Sequence, residues 1–185
     1  MKNLSFIFLI IISQSLFSQS IDEQITDIEE KLISWRHDFH KFPEVSNREF
    51  ETSEKIAKHL ESLGIKVKRN VGVNGVVGLL EGKSKGKVVA LRADMDALPI
   101  TENNGLAFQS VNDGVMHACG HDGHMSILMA TAEILSKNTD FKGTVKFIFQ
   151  GAEEGPPPGE EGGARMMIKE GVLKNPDVDA IFGLH

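Results

Sequence analysis

Three short apolar runs, separated by segments with helical periodicity, constrain the fold of this chain more than any other feature. They lie within residues 87–93, 144–149 and 178–184, and each has the length of a single strand. Continuous apolar runs of this length are typical of strands that are buried on both faces, as in parallel sheets. Such strands alternating with helices predict an α/β fold with a mostly parallel sheet.

Apolar positions recur at helical spacing in four segments. They are residues 21–35, 51–63, 122–135 and 164–170. We expect Asp122 to cap the third of these helices, because its carboxylate can accept a free backbone N–H group of the first turn. Two weaker strand patterns, at residues 65–68 and 73–80, precede an exposed turn at residues 82–86.

The charge balance excludes one broad class of partner. The chain has 20 Lys and Arg residues against 26 Asp and Glu residues, for a net charge of −6. Binding to a phosphate backbone has no electrostatic support without a basic excess, so we expect no nucleic-acid partner. The single cysteine excludes an intramolecular disulfide, and 185 residues suffice for one domain with a real core.

Residues 1–20 have the layout of a secretory signal peptide, with one basic residue near the start, an apolar run at residues 4–12 and a small polar segment. As a helix, that run rises only about 14 Å and cannot cross about 30 Å of hydrocarbon, so we expect no stable membrane anchor. The pattern predicts cleavage after Ser18 or Ser20 and export of residues 21–185 as a secreted or periplasmic protein.

Polar side chains follow each of the three apolar runs directly. They are Asp94 and Asp96 after the first run, Glu153 and Glu154 after the second, and His185 after the third. A further group, which contains Cys119 and His121, precedes the third helix. Because ligands of open α/β sheets bind outside the carboxyl ends of the strands, we expect these groups to share one site.

Cys119 and His121 are separated by one glycine, so both side chains can turn toward one point. A thiolate and an imidazole are ligands that suit zinc, and an imidazole also suits other divalent ions. A lone cysteine is otherwise a small buried hydrophobe. However, His117, Asp122 and His124 crowd the same short segment, which hydrophobic packing does not require.

Glu153 and Glu154 leave a buried strand as adjacent residues, and adjacent side chains of a strand point to roughly opposite sides. One carboxylate can then bind a metal while its neighbour faces water or substrate. The alternative interpretation is a solvated acidic turn, which is what we expect of Glu160 and Glu161.

Several ordered motifs resemble those of a known family. They are RHDFHKFPE at residues 36–44, LRADMDALP at 91–99, MHACGHDGH at 116–124, FQGAEE at 149–154 and GLH at 183–185. Together they resemble the M20 metallopeptidases, in particular the amidohydrolase branch with hippurate hydrolases, N-acyl-amino-acid amidohydrolases and auxin-conjugate hydrolases. The resemblance covers residues 21–185. It implies part of the catalytic domain, a zinc-peptidase-like α/β sandwich truncated before the dimerisation, or lid, domain.

The resemblance implies a pair of divalent metal ions, Zn²⁺ or Mn²⁺, and names the residues around them. Cys119 would bridge the two ions, and His121, Glu154 and His185 would complete most of the coordination. Glu153 would be the general base, which takes a proton from the attacking water and passes it to the departing amine.

The resemblance also implies residues that orient the metal ligands without binding metal. Asp96 would orient one of the ligands, and His117 and Asp94 would give further support. His124 falls in the first turn of the predicted third helix, where packing explains it as well as a functional role does.

Members of the family are roughly twice as long as this chain. The resemblance requires a dimerisation domain and a late metal-binding histidine after His185, so the chain is interpreted as an amino-terminal part. We expect the enzyme to hydrolyse an amide bond of an N-acyl amino acid or short peptide. We expect little turnover by this chain alone, and a homodimer only in the full-length form. The alternatives are a dipeptidase or carboxypeptidase with the same metal chemistry, and a non-catalytic metal-binding remnant.

Overall fold

The computed structural model of the chain describes residues 19–185. The helices and strands in this part are α1 (Ile21–Lys41), α2 (Phe50–Ser62), β1 (Lys66–Val71), β2 (Gly75–Glu81), β3 (Ser84–Asp94), α3 (His121–Lys137), β4 (Lys142–Gln150), α4 (Gly163–Lys169) and β5 (Ala180–Gly183). The predicted signal peptide falls outside the described residues except for its last two positions. None of the helices described is both long enough and apolar enough to cross a membrane.

The five strands form one sheet in the order β1-β2-β4-β3-β5. β3 pairs in parallel with β4 and with β5, whereas β2 pairs antiparallel with β1 and with β4. The predicted α/β fold is confirmed, but the sheet is mixed rather than mostly parallel. The reason is the short connection between β1 and β2, residues 72–74, because a turn of this length can join only antiparallel neighbours.

The side chains of β4 alternate between two covered faces of the sheet. Phe147 and Phe149 point into the larger core cluster, on the face where α2 and α3 lie against the strands. Ile148 points to the opposite face and packs in a second cluster with Met167 of α4. The apolar run at residues 144–149 is therefore buried on both faces, as predicted.

One strand prediction and one turn prediction are partly wrong. The run at residues 178–184 was expected to be buried, but β5 lies at the edge of the sheet, where Ile181 and Phe182 are 50% and 62% exposed. Among the described residues only β3 pairs with it. The predicted turn at residues 82–86 is mostly exposed, but Ser84 already begins β3.

The prediction that Asp122 caps α3 is wrong. The cap position is Gly120, which has a positive φ of 99° and no side chain to offer. The helix therefore begins at His121, two residues earlier than a cap at Asp122 would place it, and Asp122 lies inside its first turn. From that position the Asp122 carboxylate reaches toward α1.

A buried charged cluster joins α1 to α3. His40 Nδ1 lies 2.9 Å from Asp122 Oδ2, and His40 Nε2 lies 3.0 Å from Glu102 Oε1. Arg36 Nε donates to the same Asp122 oxygen at 3.3 Å. Burial alone would lower the pKa of His40, but the hydrogen bonds and charges of Glu102 and Asp122 outweigh burial and raise it.

Lys146 ties the segment between α4 and β5 to the centre of the sheet. This side chain on β4 is only 2% exposed. Its Nζ donates to the carbonyl oxygens of Val172, Lys174 and Pro176 at 2.9, 3.0 and 3.0 Å. Three acceptors satisfy the ammonium group, which is how a buried lysine avoids the cost of losing water.

We expect Lys146→Met to destabilise the fold by about 2 kcal/mol, because three carbonyl oxygens lose their buried donor. Urea unfolding measures the change. Lys142→Met, on the exposed start of the same strand, is the matched control and should change the free energy of unfolding by less than about 0.5 kcal/mol. Equal losses in the two variants would contradict the role of Lys146.

We expect the stability contributed by His40 to depend on pH. Its pKa in the folded protein lies above the usual value of 6.5. The contribution is therefore complete below that value and is lost as the pH rises through the folded pKa. Urea unfolding of the native chain and His40→Gln should show a larger difference at pH 6 than at pH 9. A difference that grows toward pH 9 would contradict the assignment.

Candidate metal centre

The polar groups predicted to share a site do meet at one edge of the sheet. The parallel strands β3 and β4 end side by side, because Asp94 and Gln150 are paired in register. The segment after β4 carries Glu153 and Glu154 toward the buried start of α3, where His121 lies. Adjacent carboxyl ends of strands and the amino terminus of a helix thus build the site together.

Among the residues that the structure describes, three overlapping groups of side chains have the geometry to hold a cation. The members of each group place one ligand atom within 4.8 Å of those of the other members. The groups are Cys119, His121 and Glu154; Asp94, Glu153 and His185; and Asp94, His121 and His124. Three of the four predicted metal ligands therefore stand together. The fourth, His185, stands instead with Asp94 and Glu153, with its Nδ1 at 3.9 and 3.8 Å from their carboxylate oxygens.

His121 is the centre of the arrangement. Its ring is fully buried, and Nδ1 lies 2.7 Å from the carbonyl oxygen of Asp96. A carbonyl only accepts, so Nδ1 carries the proton and Nε2 faces the carboxylates with no hydrogen-bond partner among the described residues. The Nε2 atom lies 3.4 Å from Asp94 Oδ2, 3.5 Å from Glu153 Oε2 and 3.9 Å from Glu154 Oε1.

The electrostatics of these residues fit a divalent cation. Burial opposes a charge on His121, but the hydrogen bond to Asp96 and the charge of Asp94 raise its pKa to about 8. Burial and the nearby Glu154 raise the pKa of the exposed Cys119 thiol. The shift of His121 expresses an excess of negative charge, which a cation would neutralise, and the carboxylates near Cys119 add to the effect of burial. A buried, unpartnered imidazole nitrogen beside a thiol and carboxylates is also a donor set suited to zinc or manganese.

Asp96 lies where the predicted orienting residue should lie. Its Oδ2 accepts a hydrogen bond from Ser46 Oγ at 2.7 Å and from the backbone N–H of Glu154 at 2.9 Å. Burial would raise the pKa of Asp96, but the contacts with His121, Glu154 and Ser46 hold it below its usual value. One residue thus holds both the imidazole and the backbone of a predicted metal ligand.

The other predicted supporting residues differ in position. Asp94 is fully buried, and its two oxygens already contact Arg92 Nη1 at 2.8 Å and His124 Nδ1 at 2.7 Å. His124 therefore belongs to the site rather than only to the packing of α3. His117 is buried but belongs to none of the three groups. Burial lowers the pKa of His117 to about 4, so its ring is neutral at pH 7.

Sequence reasoning missed Glu49, Ser46 and Arg92, each of which contacts the site. Ser46 and Glu49 precede α2 and follow no strand, so nothing in the local pattern indicated a role. Glu160 is exposed, as expected of a solvated acidic turn, but its carboxylate is paired. Arg48 and Asn47 donate to its carboxylate and lower its pKa to about 2. Glu161 is largely exposed, as expected.

Comparison with known proteins agrees with this geometry. The model of peptidase family M20/M25/M40 matches residues 90–185. Thermostable carboxypeptidase 1 of Saccharolobus solfataricus is 45% identical over 90% of this chain and 42% of the relative. The N-acyl-L-amino acid amidohydrolase of Geobacillus stearothermophilus is 43% identical over 89% of this chain and 42% of the relative.

A solved structure gives the same result. The YXEP protein of Bacillus subtilis, described as a dinuclear metal binding peptidase from the M20 family, superposes with a TM-score of 0.78 and is 43% identical. The match covers 86% of this chain and 44% of that protein. The chain thus spans less than half the length of these relatives. With the family model matching its second half and such identity along most of its length, the chain belongs to peptidase family M20/M25/M40.

Proposed function

We propose that the enzyme of which this chain forms part hydrolyses the amide bond of an N-acyl amino acid with the help of divalent metal ions. The observation that carries the proposal is the group formed by Cys119, His121 and Glu154, with Glu153 beside it. A relative 43% identical to the chain is named for N-acyl-L-amino acid amidohydrolase activity, which supports this class of substrate.

The residues of this chain have different roles in the proposed reaction. Cys119, His121, Glu154 and His185 would hold the cations, which would supply the Lewis acidity for activating water and polarising an amide carbonyl. Glu153 is the base. It takes a proton from the attacking water and delivers it to the amide nitrogen as the C–N bond breaks. Its carboxylate is 22% exposed, so water and substrate can reach it.

Two cations, Zn²⁺ or Mn²⁺, are the proposed cofactors. Among the proposed ligands, His185 stands apart from the group formed by Cys119, His121 and Glu154, which supports two positions rather than one. The related YXEP protein is described as dinuclear, which supports the same number.

A carboxypeptidase is the second candidate function. A relative 45% identical to the chain carries that name. Both reactions cleave an amide beside a carboxylate-bearing residue, so the metal centre serves either. A panel of N-acyl amino acids and free dipeptides, tested on the full-length enzyme, separates the two. The homodimer of the full-length form stays a prediction.

We expect the chain to bind Zn²⁺ or Mn²⁺ and Cys119→Ala to weaken that binding at least about tenfold, because a thiolate ligand is lost. Glu153→Gln should retain metal, since its carboxylate acts as the base. Isothermal titration calorimetry measures both affinities. In the full-length enzyme, Glu153→Gln should abolish hydrolysis.

The native chain alone should show little or no hydrolysis of hippurate in the presence of either metal. Turnover comparable to that of full-length relatives would contradict this expectation. Metal binding unaffected by Cys119→Ala would contradict the ligand assignment, and near-normal kcat of full-length Glu153→Gln would contradict the assignment of the base.

We also propose that the protein is exported and cleaved after Ser18. Ser20 begins α1 with a reciprocal cap, in which its Oγ accepts the N–H of Glu23 and the Glu23 carboxylate accepts the N–H of Ser20. Cleavage after Ser20 would remove this cap and leave a positive amino group at the positive end of the helix dipole.

We expect amino-terminal sequencing of the protein expressed in a secreting bacterium to begin at Gln19. A chain beginning at Ile21 would contradict the cleavage site. Uncleaved protein retained in the cytoplasm would contradict export itself.

A further inference from the structure

A buried carboxylate lies directly behind the turn that carries the two site glutamates. Glu49 has no exposed surface, and its Oε1 accepts the backbone N–H of Ala152 at 2.8 Å. Its other oxygen accepts the side-chain amide of Asn74 at 2.9 Å. The backbone of Gly151 lies close to this carboxylate, since a Cβ added at Gly151 would lie 2.9 Å from Glu49 Oε1.

The turn itself has a backbone conformation that needs support. Ala152 has a positive φ of 50°, in the left-handed region that costs a residue other than glycine about 1 kcal/mol. Such a conformation persists only where the surroundings hold it. Glu49 holds the N–H of Ala152, and Asp96 holds the N–H of Glu154 two residues later.

Capping of α2 does not account for the burial of Glu49. Glu49 is the residue before the helix, but its side chain makes no capping hydrogen bond. Glu44 takes that role, because its carboxylate accepts the N–H groups of Glu51 and Thr52 at 3.2 and 2.8 Å. A carboxylate buried away from water without a helix to cap is stabilised by its hydrogen bonds to the turn and to Asn74.

We infer that Glu49 is a positioning residue of the metal centre, whose carboxylate holds the Ala152 turn in the conformation that directs Glu153 and Glu154 toward His121. The inference rests on the proposed function, since the expected effect is on metal binding. What matters is the reach of the side chain to the Ala152 N–H. Its negative charge matters less, because the centre already has an excess of carboxylates.

Two conservative variants separate reach from charge. Glu49→Asp keeps the charge but shortens the side chain by about 1.5 Å, which breaks the hydrogen bond to Ala152. Glu49→Gln removes the charge but keeps an oxygen at the same distance, and the amide of Asn74 can turn to face its new NH₂ group. Lys146→Met is the control for a loss of stability away from the site.

The experiment measures Zn²⁺ affinity of the whole chain by calorimetry and the Ala152 amide proton by NMR without metal. We expect Glu49→Asp to weaken Zn²⁺ binding about tenfold or more and Glu49→Gln to stay within about threefold. The Ala152 amide proton should move upfield in Glu49→Asp only. Lys146→Met should lower stability and leave the Zn²⁺ affinity unchanged. If Glu49 had a purely structural role, Glu49→Asp would give that same result.

Three results would overturn the inference. They are native Zn²⁺ affinity in Glu49→Asp, a tenfold loss in Glu49→Gln, and an Ala152 amide unaffected by Glu49→Asp. If Glu49→Asp does not fold, the Zn²⁺ affinity of Glu49→Gln still tests the inference, because a tenfold loss in that variant would overturn it. A native chain that binds no Zn²⁺ would contradict the proposed function instead, while the Ala152 amide would still decide whether Glu49 holds the turn.

Discussion

Mutual repulsion among carboxylates is the constraint on which the organisation of this site depends. Asp94, Asp96, Glu153 and Glu154 converge on one imidazole, and like charges this close oppose folding unless each finds a partner. Arg92 and His124 partner Asp94, and Ser46 with a backbone N–H partners Asp96. Within residues 19–185 the two glutamates have no comparable partner, and a cation would supply it. The excess charge is therefore concentrated where a metal is needed.

The sheet makes this convergence possible, and its two halves have different tasks. The parallel strands β3, β4 and β5 end at one edge and carry the carboxylates and His185 to it. The antiparallel hairpin of β1 and β2 contributes no metal ligand. It extends the sheet and supports α2, and the segment before that helix places Glu49 and Ser46 behind the site.

Much of the fold was readable from the sequence because burial and periodicity are local properties. The run at residues 144–149 became a strand buried on both faces, and its end placed Glu153 and Glu154 correctly. The exposure of β5 was not readable, because the same apolar pattern fits a central strand and an edge. Asp122 was misassigned since a left-handed Gly120 starts the helix early. The contact of Glu49 with Ala152 joins residues far apart in the chain, which no local pattern encodes.

The raised pKa of Cys119 has a consequence for the reactivity of its exposed sulfur. The thiolate is the form that attacks disulfides and peroxides, and a raised pKa leaves little of it at neutral pH. Burial, together with the carboxylates that attract a cation, thus lowers the tendency of the solvent-accessible sulfur to form mixed disulfides with small thiols. A bound cation would engage the same sulfur in coordination, so the single cysteine would be a poor nucleophile with or without metal.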